Sequence, residues 1–74
     1  MPSEYIKNIL TAINSQLSNS DIKFTLQTSQ NPNENQIIRH STKMGYLGCI
    51  KTGSIQSLAM YAEGMWYMLE LLES

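Results

Sequence analysis

The stretch Ile22-Lys23-Phe24-Thr25-Leu26-Gln27-Thr28-Ser29 decides how this chain folds. Ile22, Phe24, Leu26 and Thr28 alternate with Lys23, Thr25, Gln27 and Ser29, the period of a half-buried strand. Residues on either side follow other rules. Downstream, Asn31-Pro32-Asn33-Glu34-Asn35 carries strong turn chemistry, after which Gln36 to Ser41, with Ile37 and Ile38, reads as a second strand paired antiparallel with the first. Thr42-Lys43-Met44-Gly45 is a further turn. Tyr46 to Lys51 is a third short strand, weakened by Gly48. A meander is the most economical order, because neighbouring strands usually pair.

Upstream, the period changes to that of a helix. Tyr5, Ile9, Ile13 and Leu17 fall four apart, with Ile6 and Leu10 beside them, and Lys7, Asn8, Thr11, Asn14 and Ser15 take the other face. Pro2 suits the first turn, Ser3 can cap it, and Ser18-Asn19-Ser20-Asp21 ends it. At the other end, Ser54 is the expected N-cap of a helix from about Ile55 to Leu72. Ile55, Leu58, Ala62, Met65, Leu69 and Leu72 form its inward stripe, widened by Ala59 and Trp66 on one side and by Tyr61 and Met68 on the other. The expected architecture is α+β: a two-layer α-β-β-β-α sandwich in which N- and C-terminal helices flank a three-stranded antiparallel sheet. Residues 1–74 form one domain, with no internal repeat or linker.

Composition narrows the functional classes. Seventy-four residues bury about 60% of their extended surface, enough for one core and too little for a large cofactor-binding α/β enzyme. Ser, Thr, Asn and Gln number 25 of the 74, charged residues are only 15%, and the net charge is −1, so the surface is polar but weakly charged. With Cys49 and His40 as the lone cysteine and histidine, an intrachain disulfide is impossible and a zinc site lacks ligands; no metal and no cofactor is expected. Residues 1–20 mix Glu4, Lys7, Asn8 and Asn14 among apolar positions, which does not suit a signal peptide, and a small domain without disulfides suits the cytoplasm. The apolar run from Ile55 to Leu72 is interrupted by Gln56, Ser57, Glu63 and Glu70, which argues against a membrane span.

Catalytic patterns are weak. No two of Glu4, Asp21, Glu34, Glu63, Glu70 and Glu73 form an acid–base pair at motif spacing. A Cys49–His40 nucleophile pair would need neighbouring strands to join them, and nothing supplies an orienting group. Cys49 reads instead as a small buried strand residue and His40 as a strand surface residue. Gly45, Gly48 and Gly53 fit turns better than a phosphate loop. The chain is therefore expected not to be an enzyme.

Two candidate surfaces remain. Residues 36–51 carry Arg39, Lys43, Lys51 and His40 with no acid, so this hairpin could contact an acidic protein or, as the leading alternative, nucleic acid; three cations and one interleaved aromatic, Tyr46, are few for the latter. The last helix holds the stronger anomaly. Opposite its inward stripe lie Met60, Gly64, Tyr67 and Leu71, a second apolar stripe where a covering helix should be polar. Packing against the first helix or a curled sheet would account for it, as would a protein partner or a homodimer through the C-terminal helix.

In its small α/β form, its Ser/Asn/Gln-rich surface and its stretch Leu58-Ala59-Met60-Tyr61-Ala62-Glu63-Gly64-Met65-Trp66-Tyr67-Met68-Leu69-Glu70-Leu71-Leu72, the chain resembles small inhibitors encoded by phages and mobile elements, anti-CRISPR proteins among them. The resemblance covers the whole chain in form and carries over no residue roles. It implies a stoichiometric binder that blocks a bacterial nuclease or effector complex by occupying its surface. Many such inhibitors mimic DNA with dense carboxylates, and a net charge of −1 departs from that pattern.

Overall fold

A computed structural model describes residues 2–73. Helix α1 spans Pro2–Gln16, strands β1, β2 and β3 span Ile22–Gln27, Asn35–Ser41 and Gly45–Gly53, and helix α2 spans Ile55–Glu73. The sheet order is β1-β2-β3, with both pairings antiparallel. Both helices lie on one side of the sheet, α1 over β1 and α2 over β2 and β3, so the α-β-β-β-α sandwich has two layers. The molecule is 17 Å through its thinnest direction, the depth of one sheet and one layer of helices.

The core is small. Ile6, Leu10 and Ile13 of α1, Ile37 of β2, and Leu58 and Ala62 of α2 are its buried apolar residues, with Phe24, Leu26 and Ile50 packed against them from the sheet. In α1 this rotates the expected stripe: Ile6, Leu10 and Ile13 point inward, whereas Tyr5 is 48% exposed. Tyr5 has reached sideways instead, and its hydroxyl donates a hydrogen bond to Glu63 Oε2 on α2. The helix begins at Pro2, so Ser3 falls inside the first turn rather than at the cap. Ser54 does cap α2, its Oγ accepting from Ser57 N at 3.2 Å while its carbonyl accepts from Leu58 N at 2.9 Å.

β3 runs longer than its sequence pattern, because it contains two bulges. Ile37 faces Lys51 and Ile38 faces Cys49, which leaves Ile50 as an extra residue; Arg39 faces Gly48 and His40 faces Tyr46, which leaves Leu47. The first bulge is what turns Ile50 onto the core. Gly48, beside the second, adopts φ +122, and Gly45 closes the β2–β3 turn at φ +85; both values lie where L side chains are strained.

β1 is an edge strand, and several of its outward backbone groups have side-chain partners. Asn14 of α1 donates through Nδ2 to the Phe24 carbonyl at 2.9 Å and accepts through Oδ1 from Phe24 N at 3.0 Å. One amide thus supplies both bonds that a neighbouring strand would make. Ser20 Oγ accepts from Ile22 N at 3.0 Å. The same device orders the first loop, where Asn35, 3% exposed, accepts from Ser29 N and donates to the Pro32 carbonyl, both at 3.0 Å.

Candidate interaction surface

At 100° per residue, the side of α2 that carries Gln56, Glu63 and Glu70 spans an arc of only about 40°. Apart from Ser57 and Glu73 near the helix ends, nearly everything else on this helix is apolar. The core uses only part of it. Leu58 and Ala62 are buried, and Ile55, Ala59, Met65, Trp66 and Leu69 are partly buried. Met60 is 73% exposed, Tyr67 64%, Met68 57%, Leu71 51% and Leu72 79%. The second stripe of Met60, Gly64, Tyr67 and Leu71 therefore lies on the surface, and neither α1 nor a curled sheet covers it. Three residues expected to face inward, Tyr61, Met68 and Leu72, are exposed as well. The physical reason is the way α2 leans. It packs more closely on α1 than on the sheet and makes no close approach to β1.

That separation opens an apolar groove of about 600 Å³. Ile13, Leu17 and Phe24 form one wall, and α2 between Met60 and Leu72 forms the other. Gly64 lines it, and nothing lies within 4 Å of the position its Cβ would take. Arg39 stands directly across from Phe24 in the β1–β2 register, on the helix-facing side of the sheet, and is exposed. The residues that line the groove are all apolar or aromatic apart from Gly64.

The basic hairpin residues are not gathered. Lys51 lies opposite Ile37, Arg39 two residues further along β2, and Lys43 in the turn beyond Ser41, a string of roughly 20 Å at strand rise. All three are exposed. Cys49, expected to be buried, is also exposed, because it pairs with Ile38 on the sheet face that no helix covers. Its Sγ lies 3.1 Å from Thr52 Oγ1. His40 pairs with Tyr46 rather than with Cys49, so the register does not join a Cys49–His40 pair. It is half-buried, not a plain surface residue, and its Nε2 has no hydrogen-bond partner among the described residues.

One polar cluster had no signature in the spacing. The Asp21 carboxylate accepts hydrogen bonds from the Ser41 and Thr42 hydroxyls and, at 3.1 Å, from Thr42 N. The two hydroxyls hold its pKa below the usual carboxylate value; burial works the other way, and the Thr42 and Lys43 amides add to the lowering. A carboxylate beside a serine suggests an activated nucleophile, but Ser41 is 5% exposed and its Oγ already accepts from Lys43 N at 3.0 Å and Met44 N at 2.9 Å. His40, the adjacent residue, points to the opposite sheet face. The cluster closes the β2–β3 turn onto the start of β1.

Among the described residues, no three His, Cys, Asp or Glu side chains converge to hold a metal ion, and no helix is long and apolar enough to cross a membrane. No protein-family model matches this chain, and no curated protein or solved structure matches it either.

Proposed function

We propose that this chain is a non-enzymatic protein-binding module whose working surface is the outer face of α2 together with the groove beside it. One observation carries the reading. Met60, Tyr61, Tyr67, Met68 and Leu72, between 37% and 79% exposed on one helix, make a mostly apolar patch of the order of the largest on a typical monomer, about 300–600 Å². Methionine and tyrosine are also enriched at interface cores. The resemblance to small phage inhibitors supplies a target class: a bacterial nuclease or effector complex in the host cytoplasm, blocked by steric occlusion rather than by DNA mimicry.

The test is inhibition of reconstituted bacterial defence nucleases titrated with this chain at fixed nuclease. Inhibition should be complete near one equivalent, nearly independent of salt, and lost in Tyr67→Glu. The nucleic-acid alternative predicts the opposite pattern. If the chain retains nucleic acid, with binding that falls steeply as salt rises and on replacement of Arg39, Lys43 or Lys51 by alanine, the α2 reading is overturned.

A further inference from the structure

We infer that a second copy of this chain covers the outer face of α2, the two helices pairing antiparallel about a two-fold axis near Gly64. The inference rests on reading that face as a protein-binding surface and names its occupant. Area is the first argument. Two patches of this size would bury up to about 1,200 Å² together, the lower edge of the range of about 1,200–2,000 Å² for standard specific interfaces.

Gly64 is the second argument. A glycine inside a helix weakens it, and here no neighbour within the fold requires one, since its Cβ position is open space. At the centre of an exposed apolar stripe the missing side chain leaves a notch, where another helix backbone can approach closely. With the axis at Gly64, positions equally far before and after it come opposite one another. Tyr67 then meets Tyr61 of the second copy, and Met68 meets Met60.

Shape and charge complete the case. A two-fold interface needs one face that complements itself, hence a ridge and a hollow side by side. Tyr67 and Leu72 stand beside a groove of about 600 Å³ on the same helix. The stripe holds no ionisable carboxylate or cation, Glu63 and Glu70 stay at its rim where solvent screens them, and a net charge of −1 sets up little repulsion between copies. A chain of 74 residues with a single cysteine and a small core also belongs to the size class in which association commonly completes the fold.

Sedimentation equilibrium and native mass spectrometry of the purified chain, from about 1 to 200 μM, test the inference, monomer giving way to dimer across this range. The expected mass at the upper end is twice 8.4 kDa. Tyr67→Glu and Leu72→Glu should each weaken the dimer at least about tenfold while leaving circular dichroism unchanged. Gly64→Ala should split the two readouts: the dilute monomer melts about 5 °C higher, and the dimer weakens. A wild-type chain that stays monomeric at the highest concentration, or a dimer indifferent to all three substitutions, overturns the pairing. Nuclease inhibition read at nanomolar protein, where the monomer dominates, keeps the two proposals apart. If Tyr67→Glu abolishes inhibition but no dimer exists, only the pairing falls; if it changes neither readout, the surface itself was misread.

Discussion

Replacing Asn14 by alanine tests whether one side chain substitutes for a missing strand. In the folded chain the Asn14 amide makes bonds of 2.9 and 3.0 Å to the two backbone groups of Phe24 that face away from β2. Each bond is worth about 1 kcal/mol net, and the pair is half-buried, so their loss costs about 2 kcal/mol. Alanine returns about 0.5 kcal/mol through its better helix propensity. The expected destabilisation is about 1.5 kcal/mol, equivalent to a fall of about 9 °C in melting temperature for a domain this small. Urea and thermal unfolding followed by circular dichroism would measure it, with Asn8→Ala as the control. Asn8 is exposed on the same helix and binds no strand, so that change should be neutral or slightly stabilising. The Phe24 amide should meanwhile lose hydrogen-exchange protection selectively. If Asn14→Ala proves as stable as Asn8→Ala, the edge-clamp reasoning is refuted.

Asp21 predicts a pH dependence. Its pKa is depressed in the folded chain by the Ser41 and Thr42 hydroxyls, so its contribution is present above the unfolded carboxylate value of about 4 and disappears as pH falls through the lower folded value. Unfolding midpoints measured from pH 6 to about 2 should fall less steeply for Asp21→Asn than for wild type, and equal slopes would rule the linkage out. Cys49 predicts a chemical reactivity. Since it is exposed on the open sheet face, a disulfide reagent should titrate one thiol per chain in native buffer as completely as in denaturant; protection in the folded state would contradict the register of β3.

Element order and strand pairing were readable because both depend on local patterns. The period of two in Ile22–Leu26, the Asn-Pro loop and the Ser54 cap each act within a few residues, and the structure places all three as their chemistry requires. Facing was harder. Two stripes one residue apart, Tyr5-Ile9-Ile13 and Ile6-Leu10-Ile13, fit α1 equally by spacing, and only the position of α2 selects the second. Cys49 was misplaced for a related reason. Two bulges in β3 shift which residues share a face, and a bulge leaves no simple mark in an alternating pattern beyond a glycine such as Gly48. The groove was out of reach altogether, since one wall comes from residues 13–24 and the other from residues 60–72.

The polar, weakly charged composition gains a different meaning from this. Asn14, Ser20, Asn31, Asn35, Ser41 and Ser54 are each engaged with backbone groups of nearby turns, a strand edge or a helix start. A two-layer fold whose sheet has only three strands leaves many edges and ends per residue, and short uncharged side chains satisfy them without the desolvation cost of charges. These six side chains are thus explained by architecture and say little about a partner. The apolar excess of α2 has no such internal explanation. Its core-facing side already completes the small interior, yet Met60, Tyr67, Met68 and Leu72 remain more than half exposed around a glycine that nothing in the fold requires. Of the two compositional anomalies, the second is therefore the one on which the proposed association through α2 rests.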